Sequence, residues 1–418
     1  MPSSISASVQ KTIPQSKNQA RMLWLLVSFA YLLIVSQRTA PGIISDQLLS
    51  EFHVSASVLG LMSTFQFVMY AGLQIPIGLW AARLGPARLL LVGILASGLG
   101  TILYSTADSL PLLFATRALI GFGDAFIWVN CVLILGKAFE PRSFSTMIGM
   151  TGAMGSLGNM LTTMPLAWWV TASGWRLPFT CMGIILLVHA LIMYRGFSRR
   201  DMLFPADAAN LHPAVTLREF ATLIRKRTVW GPFLCHFGII GTYVGFTSVW
   251  AIPYLLDMYG ISRAEAASIL GLALISAVAG GPLSGWMAAR AGNCRTPYIW
   301  LQVLNVTVWS VFLLTKAHPP LALVYVLFIA LGFGIGISTL TFASIRESFP
   351  VAQVGALTGL ANTGGFFSAV LLPPIMGLVF DHLGLHSQQA YAVAFIIPVL
   401  FASIGIAGGL MLSKPKHV

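Results

Sequence analysis

The sequence predicts an all-α membrane protein: twelve transmembrane helices in two pseudo-symmetric six-helix bundles. Three observations carry this. Of 418 residues, 57% are apolar and 9% charged, against about 45–50% and about 25% in soluble domains. The chain divides into twelve apolar runs of the length that spans a bilayer, about 20 residues. Its second half also repeats features of the first. No water-soluble fold of this size hides so much apolar surface. A soluble enzyme, a nucleic-acid-binding module and a disordered chain are therefore excluded.

The runs cover 22–44, 57–80, 87–106, 111–136, 145–170, 177–196, 229–256, 265–288, 298–316, 320–345, 353–380 and 390–413. The first is too long for a cleaved leader and lacks its small-residue cleavage site, so it reads as a retained span. The longest polar interruption, 197–228, holds Arg199, Arg200, Arg218, Arg225, Lys226 and Arg227. The expected organisation is a tail (1–21), a six-helix bundle (22–196), a basic linker (197–228), a second bundle (229–413) and a short tail (414–418). The four cysteines are scattered singly and form no metal-ligand spacing, so they read as packing residues. No cofactor or metal is expected.

The net charge of +12 reflects loop asymmetry rather than nucleic acid. With both termini cytoplasmic, 19 of the 24 Lys and Arg fall inside, three outside (Arg176, Arg263, Lys316) and two within spans (Arg38, Arg117). The outer loops carry Asp46, Glu51, Asp108, Asp257, Glu265 and Asp381. Basic residues favour the cytoplasmic face, so a multi-pass protein of the inner membrane with both ends inside is expected.

The repeat is legible as a motif. Gly78, Arg83, Gly85 and Arg88 close the second span in the pattern GxxxARxGxxR, and Gly285, Arg290, Gly292 and Arg295 close the eighth in the same pattern, 207 residues later. Gly149 and Gly155 likewise align with Gly359 and Gly365. Duplicated halves with a midplane site between them are how secondary transporters are built.

These residues resemble the major facilitator superfamily over nearly the whole chain. Its loop signature has an acidic residue where Ala82 and Ala289 stand, and the resemblance implies a gating role for the eight motif residues. The fourth-helix pattern RxxxGxG is present as Arg117, Gly121 and Gly123. The exporters' fifth-helix GPxxGG is not, because 149–158 lacks the proline, which favours import.

Ionisable residues within spans are costly and are functional candidates by default. Here they are Arg38, Arg117 and Asp124, with His189 and His236 as weaker cases. At a rise of ~1.5 Å per residue, Arg38 and Arg117 fall at similar depth outside the midplane and Asp124 near the middle. Two level guanidinium groups suit a carboxylate between them. Arg117 and Asp124 are two turns apart on one face, extended by Gly121 and Trp128. A lone buried Asp can load and release a proton; the structural alternative is a salt bridge to Arg117. The trio resembles the anion:cation symporter branch, which includes sialin, the vesicular glutamate transporters and bacterial galactonate carriers. That branch has an arginine on the first helix and R-x6-[ED] on the fourth. Tyr70, Gln74, Pro76 and Gly78 match its second-helix YxxxQxPxG. Its bacterial sugar-acid members have an Asp where Gln37 stands, which implies one coupled proton here instead of two.

Further substrate contacts are expected from Tyr31 and Gln37 on span one, Tyr70 and Gln74 on span two, Trp128 on span four, Tyr243 on span seven and Asn362 on span eleven. Span seven carries a stripe of His236, Ile240, Tyr243, Thr247, Trp250 and Tyr254, with His236 a candidate second titrating group. Helical aromatic stripes also serve packing and interfacial anchoring. The reading is a monomeric, proton-coupled importer of a small organic anion: a sugar acid, another carboxylate, a carboxylate-type metal chelate or an acidic amino acid. Uptake of zwitterionic amino acids or peptides, with Asp124 binding the amine, is the alternative, and an export pump is third. One intramembrane Asp and two isolated His do not supply the clusters an enzyme needs.

Overall fold

The computed structural model describes residues 17–38, 44–53, 56–198, 215–383 and 387–412. Most of the linker with Arg199 and Arg200, nearly all of the N-terminal tail, and the final residues lie outside these. The described chain is helical throughout. The first half comprises α1 (Lys17–Ser36), α2 (Ser45–Phe52), α3 (Ala56–Leu84), α4 (Pro86–Ser105), α5 (Leu110–Ala125), α6 (Ile127–Ala138), α7 (Pro141–Ser173) and α8 (Arg176–Ser198). After α9 (Leu217–Leu223), the second half runs α10 (Arg227–His236), a π-turn (Phe237–Gly241), α11 (Thr242–Val249), α12 (Ala251–Tyr259), α13 (Arg263–Ala291) and α14 (Arg295–Leu314). It ends with α15 (Leu321–Ile337), α16 (Leu340–Ser348), α17 (Val351–Leu383), α18 (Gln388–Ala394) and α19 (Ile396–Met411).

Ten continuous or broken helices among the described residues are long and apolar enough to cross a membrane. The helices α3 and α7, of 29 and 33 residues, complete two sets of six. Four spans that read as continuous are broken, with local causes. Pro253 and Pro398 lack the N–H that would bond four residues back, and α11 and α18 end at Val249 and Ala394. In span ten, Ser338 and Thr339 turn their hydroxyls onto the carbonyls of Ile335 and Gly336, a back-bonding that bends helices. Span four tightens at Phe126, whose N–H reaches Gly123 rather than Phe122. The first helix also corrects the expected 22–44: it stops at Ser36, and Arg38 lies in the turn that follows.

The halves meet along two seams that the internal repeat makes equivalent. On one, α3 crosses α17 so closely that a Cβ at Gly78 would collide with the Gly355 carbonyl, and one at Gly359 with the Gln74 carbonyl. On the other, α13 crosses α7, with Gly285 against Ser145 and Gly281 against Gly149. Motif residues Gly78 and Gly285 thus occupy matching places. Gly85 and Gly292 end α3 and α13 at φ 85° and 68°, in the region that penalises any Cβ. Arg83 and Arg290 are exposed near these turns, Arg290 with its guanidinium 5.5 Å from the Trp286 ring. Arg295 reaches the Leu410 carbonyl at 3.4 Å. Beside the seams, Arg346 of α16 donates from Nε and Nη2 to the Gly136 carbonyl of α6 at 3.3 and 3.1 Å. Its neighbour Glu347 accepts from the Cys294 N–H at the start of α14, at 3.0 Å. At the other end of the first half, Arg176 pairs with Glu51, which also accepts from Trp175.

Gly78→Ala is expected to abolish transport while leaving a folded, membrane-inserted protein, because it obstructs the approach of α3 to α17. Gly85→Ala meets no neighbour, so it should cost only the backbone strain of φ 85° and ψ 132°, on the order of 1–3 kcal/mol, and keep activity. Uptake and melting temperature measured on both variants check this; an active Gly78→Ala carrier would contradict it.

Candidate functional site

Asp124 lies in the last turn of α5, just before the break at Phe126. Its carboxylate is gripped in two places by Arg38: Nε to Oδ2 at 2.9 Å and Nη2 to Oδ1 at 2.8 Å. This fork-on-carboxylate geometry is the strongest arrangement an arginine offers. Asp124 is almost fully buried, while the Arg38 side chain keeps 12% exposure. Two rings that touch one another lie beside the guanidinium, Tyr70 at 4.8 Å and Phe366 at 5.7 Å. Tyr70 is on α3 and Phe366 on α17, so the charged pair sits where the halves meet.

From this pair a chain of polar contacts crosses the interface. The Asn362 amide donates to the Tyr70 hydroxyl at 2.7 Å and to Gln74 Oε1 at 2.7 Å. Gln74 in turn donates to the carbonyls of Tyr70 and Ala125, at 3.1 and 3.2 Å. The Ala125 carbonyl is available because the helix breaks one residue later. A second set of contacts is aromatic. Tyr31 lies 4.7 Å from Trp128, Trp128 is 5.0 Å from Phe342, and Phe342 is 5.1 Å from His236. His236 Nδ1 faces Thr341 Oγ1 at 3.3 Å, and that hydroxyl meets the Tyr298 hydroxyl at 2.5 Å.

The sequence-derived residues are redistributed by this geometry. The expected clamp of Arg38 and Arg117, with Asp124 either unpaired or bridged to Arg117, is replaced by an Arg38–Asp124 pair. Arg117 is fully buried, its guanidinium 5.4 Å from the Tyr104 ring, and none of its three nitrogens has a hydrogen-bond partner among the described residues. The depth estimate assumed that span one continues to residue 44; its end at Ser36 lets Arg38 turn towards α5. Tyr70, Gln74 and Asn362 come together, bonded to one another. Tyr31 and Trp128 are in tilted ring contact. Gln37 is buried, its carbonyl taken by Thr101.

Tyr243 lies away from this group, in an aromatic cluster of the second half with Phe246 and Tyr254. The rest of its stripe packs: Trp250 donates to the Pro373 carbonyl and Tyr254 to that of Ala317. His189 bonds the Leu26 carbonyl at 2.9 Å, fastening α8 to α1. Phe342, Phe366 and Arg346 escaped the sequence reading. Phe366 directly follows Gly365, one of the repeat-related glycines, which is the signal that could have found it. Among apolar residues Phe342 has none.

The two buried arginines should respond oppositely to an apolar replacement of similar length. Arg38→Met strands the Asp124 carboxylate and is expected to cost about 3–5 kcal/mol, a loss restored by adding Asp124→Leu. Arg117→Met removes an unpaired charge and should leave the melting temperature unchanged or higher. Thermal unfolding of the three purified variants reads this directly.

Comparison with known proteins agrees with the fold. The Major Facilitator Superfamily profile matches residues 27–342 and 233–418. A probable sulfoacetate transporter of Cupriavidus necator, SauU, is 22% identical over 417 residues, covering 94% of this chain and 92% of that protein. A D-galactonate transporter of Escherichia coli is 20% identical over 405 residues, covering 90% and 92%. Among solved structures, the transporter FucP in its outward conformation superposes with a TM-score of 0.77 at 15% identity, over 95% of this chain and 100% of that one. At that identity the likeness is one of fold.

Proposed function

This chain belongs to the major facilitator superfamily and is an integral membrane transporter, not an enzyme; we propose that it imports a small organic anion together with a proton. The observation that carries the proposal is the bidentate Arg38–Asp124 pair, placed where the halves meet. A carboxylate substrate offers Arg38 the same two oxygens as Asp124 and competes for the same fork. Protonation of Asp124 removes its charge and frees Arg38, so proton and anion load together. The relatives named for sulfoacetate and D-galactonate support an anion as cargo. The alternative of an amine bound at Asp124 loses ground, because both carboxylate oxygens are already engaged.

The two glycine seams and the Arg346–Gly136 contact close the end of the bundle at which α3, α6 and α13 terminate. By the distribution of Lys and Arg this end is cytoplasmic. Closure at that end suits a carrier awaiting substrate from outside. Tyr70, Gln74 and Asn362 then join the charged site to the seam between α3 and α17: their mutual bonds must rearrange when the halves part. Gln37, Tyr31 and Trp128 line the first-half side. His236 is a positioning group bonded to Thr341, and Asp124 carries the coupled proton. The motif residues Gly78, Arg83, Gly85, Arg88, Gly285, Arg290, Gly292 and Arg295 serve the gate. The carrier acts as a monomer in the inner membrane.

Asp124→Asn keeps shape and amide-type hydrogen bonding while removing titration. In proteoliposomes it should retain substrate exchange, which needs no net proton movement, and lose accumulation driven by an inward proton gradient. Wild-type accumulation in this variant would exclude the coupling role, and equal loss of both activities would favour a purely structural one.

A further inference from the structure

The body of the substrate is left open by an argument that fixes only its charged end. Three features of the surroundings of Arg38 narrow it. The first is charge. Freed from Asp124, Arg38 offers one positive group. The described Lys and Arg of the second half (Arg227, Arg263, Arg290, Arg295, Lys316 and Arg346) stand at helix ends, and the middles of its described spans carry no formal charge. Arg117 is fully buried against Tyr104. A second carboxylate on the cargo would be desolvated with no cation to meet it, at a cost that buried charges avoid.

The second feature is hydrogen-bonding capacity. Tyr70, Gln74 and Asn362 are engaged with one another and with the backbone: Asn362 gives both amide hydrogens to Tyr70 and Gln74, and Gln74 gives its own to two backbone carbonyls. That leaves Gln37 Nε2 and Trp128 Nε1 as donors without a partner among the described residues. Hydroxyls along a sugar-acid chain would exchange water for partners already spent.

The third is the shape and chemistry of the surface. Tyr70 and Phe366 meet at 4.5 Å and 62°, and Phe67 stacks on Phe366 at 5.8 Å. This makes an aromatic corner with Arg38 at its edge. A flat ring carrying one anionic group would seat its charge on the fork and its faces against that corner. It would gain both apolar burial and ring–ring contacts.

We infer that the cargo is a singly charged aromatic anion, an aromatic monocarboxylate or monosulfonate, rather than a polyhydroxy acid or a dianion. The inference rests on the reading of Arg38 as the anion ligand. The test is counterflow in proteoliposomes of the intact protein. The panel holds 4-hydroxybenzoate and benzenesulfonate as aromatic monoanions, phthalate as an aromatic dianion, and gluconate and tartrate as non-aromatic acids. Benzenesulfonate stays ionised, so it does not leak across the bilayer as a neutral acid.

The expected result is exchange of the two aromatic monoanions at apparent affinities at least tenfold above the other three. Phe366→Leu should weaken them about fivefold, the scale of one aromatic pair, and Phe366→Tyr should restore them. Preferential exchange of gluconate, tartrate or phthalate would overturn the aromatic monoanion while leaving an anion carrier standing. So would a Phe366→Leu carrier with unchanged affinity for benzenesulfonate. If no anion in the panel exchanges in a preparation with wild-type melting behaviour, both this inference and the anion reading fall.

Discussion

The arrangement of the site depends on a charge balance that the membrane enforces. A carboxylate and a guanidinium inside a bundle are each expensive to desolvate, and their attraction offsets that cost only with good geometry and satisfied neighbours. Arg38 and Asp124 meet the condition with two N–H···O contacts and two aromatic rings beside the guanidinium. Because the pair is held by charge, the agent that loosens it at least cost is one that replaces charge for charge. A proton on Asp124 with an anion on Arg38 is such an exchange. The pair touches the first half through α1 and α5 and the second through Phe366, so the exchange is felt at the interface.

That interface is built from backbone rather than from ion pairs. The loop signature of the superfamily has an acid where this chain has Ala82 and Ala289. Close glycine–carbonyl packing along two repeat-related seams takes up the contact instead. Arg346 adds a charge-assisted link, donating to the Gly136 carbonyl in the last turn of α6, where the helix dipole favours a cation. Glu347, next to it, occupies the complementary place at the start of α14. One short segment thus serves a C-terminus in the opposite half and an N-terminus in its own.

Much of this was legible because the signals are periodic or positional. Twelve apolar runs, the basic interruption and the 207-residue repeat follow from the bilayer's thickness and from duplication. Gly85 and Gly292 are readable because only glycine adopts their turn cheaply. What the sequence hid is pairing between helices. Nothing in span one announces that Arg38 faces α5 rather than lying level with Arg117, since that depends on where α1 stops, and Ser36, Gln37 and Arg38 carry no proline or glycine to mark the end. The span breaks were half-legible: Pro253 and Pro398 mark two, while the one at Phe126 has no proline and is visible only in the backbone. Tyr243 misled for a general reason, because a stripe of aromatics looks the same whether it lines a cavity or fills a core.

Charge arithmetic links site and cargo. Arg38, Arg117 and Asp124 together carry one positive charge when Asp124 is ionised. Loading one proton and one singly charged anion leaves that total unchanged. On the proposed reading, the empty and loaded carriers therefore reorient with the same net charge in the membrane, and neither step pays a changing electrostatic penalty. A dianion would break the balance unless a second acid took a second proton. Gln37, adjacent to Arg38, cannot titrate, and its carbonyl is committed to Thr101. On that reading one titrating acid, the one guanidinium its protonation releases and a cargo of one charge are mutually consistent, and changing any one of them would require changing another.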